Sequence, residues 1–171
     1  MVQFRSLDVQ VNCQALVRST VQAHGHLNVM LCNAGMVSEN ILDLQLSKFD
    51  CLMALNVQDV VACVKHAARS VVKGRVGGSI VCAGSVGRDC GGGRTNYCML
   101  KHAVVGLVRS ASVLSGAHGI RANCISPCAV ATQLTSGMAH VTEAVLFLAS
   151  HVSQFMTGHD LVVDGGYLLR H

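Results

Sequence analysis

Short apolar runs rich in β-branched residues alternate along this chain with longer stretches of helical periodicity, and that alternation constrains the fold more than any other feature. The runs lie at residues 2–7, 27–32 (LNVMLC), 79–83 (SIVCA), 121–125 (RANCI) and 160–163. Several are apolar almost without interruption, as a strand covered on both faces must be, whereas a half-exposed strand alternates. Between them, residues 12–24 carry Ala15, Leu16, Thr20 and Ala23 roughly along one helical face and end at Gly25. Residues 47–72 place Phe49, Leu52, Met53, Val57, Val60, Val61 and Val64 at helical spacing behind Ser47, a side chain suited to an N-cap. Two more helices are expected, one at 96–115 that stops at Gly116 and one at 142–149 (TEAVLFLA). Strand and helix in repetition predict parallel βαβ units, hence an α/β fold with helices on both faces of one sheet. No internal repeat, heptad or low-complexity tract breaks the pattern, and the glycines at 91–93 read as a local loop.

A length of 171 residues suits a single domain, 1–171. Hydrophobic residues at 51% against 13% charged exclude a disordered tail, which needs the opposite balance. The excess of 13 Lys and Arg over 9 Asp and Glu is small and scattered, so no nucleic-acid partner is expected. No uninterrupted apolar run approaches the roughly 18 residues of a membrane span, the best being 103–108, so no membrane partner is expected either. Residues 1–10 (MVQFRSLDVQ) set Arg5 and Asp8 where a signal peptide is apolar, which makes the cytoplasm the expected compartment. The nine cysteines form no CxxC pair and most lie in apolar segments, so they read as reduced, buried small hydrophobes. His66 and His102 read as helix-surface residues, and no His/Cys grouping has zinc spacing; the expected metal set is none.

Tyr97 and Lys101 stand four residues apart at the start of an expected helix, on one face, so both reach one pocket. An ammonium beside a phenol favours the phenolate, which makes the tyrosine a usable acid or base near neutral pH. Two amphipathic surface residues would show the same spacing, so the pair gains weight from its surroundings. Ser85 lies upstream, just past the carboxyl end of the strand at 79–83, and in open α/β sheets ligands bind at that edge. In order along the chain there are also LCNAG at 31–35, Leu55-Asn56-Val57 in the long helix, NCISP at 123–127 with Val130 and Thr132, and DGG at 164–166.

Taken together, these motifs resemble the short-chain dehydrogenase/reductase family. Its segments DVMxNNAG, SIVxxxSVxG, YxxSKHAVVGL, RVNCISPxxVAT and LAVDGG are echoed here as NVMLCNAG, SIVCAGSVG, YCMLKHAVVGL, RANCISPCAVAT and LVVDGG. The likeness runs over nearly the whole chain and is strongest to plant members of the tasselseed, xanthoxin dehydrogenase and momilactone synthase type. It implies a Rossmann-like, doubly wound parallel sheet and an exchange of hydride with NAD or NADP, with NAD favoured by the plant relatives. It also implies a catalytic tetrad of Asn56, Ser85, Tyr97 and Lys101. Tyr97 would exchange a proton with the substrate oxygen and Ser85 would hold that oxygen. Lys101 would act on the tyrosine and bind the nicotinamide ribose, while Asn56 would support a proton relay through water. For the cofactor it implies Asp8 and Val9 at the adenine, although Asp8 might equally cap the helix that follows. Asn33, Ala34 and Gly35 would line the adenosine side, with Pro127, Val130 and Thr132 at the nicotinamide end beside Tyr97 and Lys101.

The same comparison marks the chain as partial. It starts at what resembles the family's third strand, so the glycine-rich turn that receives the pyrophosphate and the residue that selects NAD from NADP are not in it, and reduced cofactor affinity is expected. The helical lid that follows Thr132 in the family is cut short, which opens the substrate pocket to water. Cys32 replaces the first Asn of NNAG, and Cys98, Met99 and Leu100 replace the small residues usual between Tyr and Lys. Loss of the first unit leaves 27–32 with an open apolar edge, and the strand at 2–7 is expected to move beside it. Two functions stay open. One is an oxidoreductase acting on a small apolar secondary alcohol or its ketone. The other is a catalytically inactive remnant that acts through oligomerisation surfaces on helices 47–72 and 96–115.

Overall fold

The computed structural model of the chain describes residues 6–36, 42–89, 95–128 and 136–170. Its centre is a four-stranded, wholly parallel sheet in the order β1 (Val29–Cys32), β2 (Gly78–Ala83), β3 (Ile120–Pro127) and β4 (Asp160–Val163). Parallel neighbours cannot be joined by a hairpin, and helices supply each crossover. Helices α2 (Leu46–Met53) and α3 (Asp59–Gly74) connect β1 to β2, α4 (Thr95–Gly116) connects β2 to β3, and α5 (Ser136–Ala149) connects β3 to β4. Helix α1 (Ser6–His24) precedes β1.

Alternation along the strands divides the core between the two faces. On one, Met30, Ile80 and Ala122 pack with Val17 of α1, Val64, Ala67 and Val71 of α3, and Val104 and Val108 of α4. On the other, Val81 and Ile125 meet Leu148 of α5. Each such fully buried aliphatic side chain is worth about 1.5–3 kcal/mol of transfer free energy. Cys32, Cys82 and Cys124 lie in one register row across β1, β2 and β3 and serve as small core residues. Helices on both faces of a parallel sheet are the expected α/β architecture.

Several elements differ from the sequence expectation. Of the strand expected at 2–7, Ser6 and Leu7 belong instead to α1, while 2–5 lie outside the described residues. A strand must find backbone partners on another strand, whereas a helix satisfies its own. Here the buried Cys13 and Val17, with the half-buried Val21 after them, recur every four residues and seat the helix in the core. Among the described residues β1 is therefore an edge strand, with Val29 43% and Leu31 45% exposed. The expected helix 47–72 starts at Leu46, so Ser47 is not its cap, and the capping position falls to Gln45, whose side chain makes no cap bond. A π-helical turn, Ala54–Gln58, then separates α2 from α3. Of the cysteines, Cys13, Cys32, Cys82 and Cys124 are buried as expected, but Cys51 is exposed and Cys63, Cys98 and Cys128 are half-buried; Cys90 lies outside the described residues. Helix α4 is long and apolar enough to cross a membrane by length and composition alone, although it packs on β3 with Leu100, Val104 and Val108 buried in the core.

Asp59 opens α3, where burial pushes its carboxyl up from 3.8 to about 6. The folded chain thus holds a proton there that the unfolded chain releases near pH 4. Stability from this group is fully present below about pH 4 and is lost as pH rises through about 6. Urea titrations of the wild type and Asp59→Asn should show the variant gaining on the wild type between pH 4 and 7. A gap that does not change over that range contradicts the assignment.

Candidate active site

The carboxyl ends of β1 and β2, the π turn and the start of α4 meet at one corner of the sheet. Lys101, on the inner face of α4, is only 5% exposed, and its Nζ donates to the Ala83 carbonyl at the end of β2 (2.7 Å). Burial pulls its pKa below the ordinary lysine value, an effect that the nearby Cys124 and Cys82 partly offset. An ammonium has three N–H donors, and Ala83 takes one of them. One helical turn back, the Tyr97 ring lies with its centroid 5.6 Å from Nζ, and the residue is half-buried.

Ser85 follows β2 in extended conformation and caps the short turn Val86–Arg88, its Oγ accepting from Gly87 N (3.1 Å). That bond uses a lone pair and leaves the hydroxyl proton available for another oxygen. Gly87 joins the serine to the tyrosine, since a Cβ there would lie 3.2 Å from Ser85 Oγ and 3.6 Å from the Tyr97 ring.

Asn56 sits in the π turn, 1% exposed, with both ends of its amide engaged. Its Nδ2 donates to Leu52 O (3.0 Å) and its Oδ1 accepts from Met36 N (3.0 Å). Single π turns inside α-helices are frequent at functional sites. Here the turn carries the amide that fastens the loop after β1. A Cβ on Gly35 would come within 2.8 Å of Asn56 Oδ1, so glycine lets this loop approach the amide, and would lie in ordinary contact, 3.5 Å, from Lys101 Nζ. Asn33 and Ala34, just before it, are exposed.

The structure thus brings Gly35, Asn56 and Lys101 together, and Ser85 with Tyr97, with Lys101 and Tyr97 linking the two groups. Pro127 closes β3, half-buried and in register with Val163. Asp8 and Val9 fall in the first turns of α1 and not after a strand; Val130 and Thr132 lie outside the described residues. Met36, Gly84 and Gly87 were not anticipated. Gly84 passes so close to β3 that its N donates to Ile125 O (2.7 Å) and a Cβ on it would collide with Ser126 Oγ. Ser126 in turn donates to Asp160 Oδ1 (2.6 Å). A glycine directly before the candidate serine was the available signal. Among the described residues no three His, Cys, Asp or Glu side chains are placed to hold a metal ion.

A buried lysine, a tyrosine one turn away and a capping serine at the carboxyl edge of a parallel sheet define a site of the α/β dehydrogenase class. Residues 3–142 match the family model described as enoyl-(acyl carrier protein) reductase. The chain is 45% identical over 187 residues to a (+)-cis,trans-nepetalactol synthase of Nepeta racemosa, covering 91% of this chain and 70% of that protein. It is 42% identical to short-chain dehydrogenase reductase 3c of Arabidopsis thaliana, covering 88% and 69%. It is also 43% identical to a (-)-isopiperitenol/(-)-carveol dehydrogenase of Mentha piperita, covering 90% and 69%. In structure it is similar to a short-chain type dehydrogenase/reductase from Mycobacterium marinum, with TM-score 0.85, 29% identity, and coverage of 92% and 70%. ElxO with NADP bound is similar as well, with TM-score 0.83, 25% identity, and coverage of 98% and 77%. The chain belongs to the short-chain dehydrogenase/reductase family, the NAD(P)-dependent oxidoreductases.

The described residues fit one end of such a cofactor. The remaining N–H donors of Lys101, beside the glycine corner at Gly35, suit ribose hydroxyls.

The close passage of β2 past β3 is testable. Gly84→Ala should cost roughly 1–3 kcal/mol, as overpacking does, and clearly less in a Ser126→Ala background, where the colliding oxygen is gone. Equal costs in both backgrounds, measured by urea unfolding, contradict the contact.

Proposed function

We propose that the protein oxidises a secondary alcohol, or reduces the matching ketone, on a small apolar substrate, with NAD favoured over NADP by likeness to plant relatives. The observation that carries this reading is the joint placement of Ser85, Tyr97 and Lys101. Ser85 accepts from Gly87 N, so its own proton is left to donate to a substrate oxygen. Tyr97 exchanges a proton with that oxygen, and the Lys101 ammonium favours negative charge as it develops on the phenol. Lys101 and the Asn33–Ala34–Gly35 loop hold the ribose end of the nucleotide. When bound, the nicotinamide takes up or gives the hydride at the substrate carbon. Asn56 acts at one remove, since its amide fastens Met36 and so sets the loop against Lys101. With one serine, one tyrosine and one lysine in place, the residues that line the pocket set the choice of alcohol. The eight described cysteines form no disulfide with one another, which fits a reducing compartment such as the cytoplasm.

A second reading, a catalytically silent chain that acts through its surfaces, is favoured by β1, an edge strand among the described residues, and by exposed apolar residues on the two long helices. Val61 and Val72 of α3 and Met99, Val113 and Leu114 of α4 face solvent and suit a second copy of the chain. Titration with NAD and NADH separates the readings. A ligand that binds only the folded state stabilises it by RT ln(1 + [L]/Kd), about 2.7 kcal/mol at a hundredfold excess over Kd. The oxidoreductase reading predicts a saturable thermal shift and a turnover with secondary alcohols that Tyr97→Phe abolishes while the shift remains. No shift in folded protein at millimolar cofactor favours the silent chain.

A further inference from the structure

The Ser126 hydroxyl reaches from β3 to both neighbouring strands. Strands β2 and β3 pair as far as Ala83 and Ile125, so the next step of the ladder sets Gly84 beside Ser126. Side chains alternate along a strand, which puts Cys124 and Ser126 on one face of the sheet, together with Asp160 of β4, the register partner of Cys124. Ser126 is fully buried there, and its Oγ donates to Asp160 Oδ1 (2.6 Å), the short distance of a hydrogen bond to a carboxylate oxygen. The same Oγ fills the space that a Cβ on Gly84 would take.

Gly84 is the residue at which β2 leaves the sheet. Its N–H still donates to Ile125 O (2.7 Å), and Ser85 follows in extended conformation, its Oγ accepting from Gly87 N (3.1 Å). A serine hydroxyl can take any of its staggered positions, and the bond to Asp160 selects one of them. In that position the oxygen is seated against Gly84, directly before Ser85. Without the carboxylate the hydroxyl is free to turn, and the backbone at Gly84 loses the atom it rests on. A misplacement near 1 Å at a reacting centre costs about a hundredfold in rate, so the contact that fixes Gly84 also bears on what Ser85 can do.

We propose that Asp160 is a positioning residue for Ser85, acting through the Ser126 hydroxyl and the Gly84 backbone. It works from β4, with β3 between it and the serine. Its effect on catalysis rests on the oxidoreductase reading of Ser85, whereas the coupling from Asp160 to Ser85 belongs to the fold and is read without turnover. An asparagine at 160 keeps a side-chain oxygen that accepts from Ser126, and an alanine does not.

The test is amide hydrogen exchange, followed by NMR on the full chain, for the wild type, Asp160→Ala, Asp160→Asn and Ser126→Ala, with kcat and KM for a secondary alcohol measured on the same samples. The informative amides are Gly84 N–H and Gly87 N–H, and the reference for general stability is Ser79 N–H, bonded to Asn28 O far from Asp160 (2.7 Å). Asp160→Ala and Ser126→Ala should speed exchange at Gly84 and Gly87 about fivefold or more relative to Ser79, and Asp160→Asn should stay near the wild type. In the active enzyme, Asp160→Ala should lower kcat roughly tenfold at unchanged KM, and Asp160→Asn should restore most of it. Exchange at Gly84 and Gly87 that Asp160→Ala leaves unchanged, or raises only as much as at Ser79, overturns the proposal, as does an unchanged kcat. Selective exchange in proteins that turn over no alcohol supports the coupling and counts against the oxidoreductase reading alone.

Discussion

The bond from the Lys101 ammonium to the Ala83 carbonyl is the interaction around which this site is arranged. It ties α4 to the carboxyl end of β2 and puts a cation under the loop that leaves β1. Burying an ammonium against a single carbonyl is not a source of stability, since desolvation opposes the Coulombic gain. The neighbours Leu100 and Val104, both almost completely buried on the same face of α4, supply the packing that holds the lysine in place. The scaffold stabilises the fold, and the lysine draws on that stability to keep a charge where a ligand can meet it.

The rest of the corner follows from the need to bring backbone close to that charge. Gly35 is required because a Cβ there would press on the Asn56 Oδ1. Asn56 is required because its amide accepts the Met36 N–H and donates to Leu52, closing loop and helix together from within the π turn. Gly84 and Gly87 do the same on either side of Ser85, one letting β2 run against Ser126 and the other letting the serine and the tyrosine ring come together. A buried side-chain amide with both ends bonded rigidifies its surroundings, whereas a half-satisfied one would destabilise them.

Much of this was legible in the sequence, and the misses have physical causes. Strands β2 and β3 lie within two residues of their expected bounds, because a run buried on both faces is a local signal, and β4 matches its bounds although none of its residues is fully buried. The order of Asn56, Ser85, Tyr97 and Lys101 marked the corner, since Ser85 follows a strand and Tyr97 opens a helix that the apolar pattern already located, although Asn56 falls inside the expected helix 47–72. The π turn was invisible because one extra residue in a helix hardly disturbs its apolar stripe over a few turns. At Ser6 and Leu7 the expected strand gives way to α1, because strand formation depends on a partner elsewhere in the sheet, which composition does not report. Ser47 looked like a cap, yet the helix began one residue earlier.

The most direct test of the central claim is the stability of Lys101→Met beside the wild type, by urea unfolding at pH 7 and pH 10. A lysine whose pKa is lowered in the folded state costs stability while it is charged, and the cost fades as pH rises through the folded value toward 10.5. Replacing the ammonium with an apolar chain of similar length should therefore leave the protein at least as stable at pH 7. The advantage of the variant should shrink by pH 10. A variant much less stable than the wild type at pH 7 would mean that Lys101 is a structural fastener, and would contradict an ammonium kept for binding.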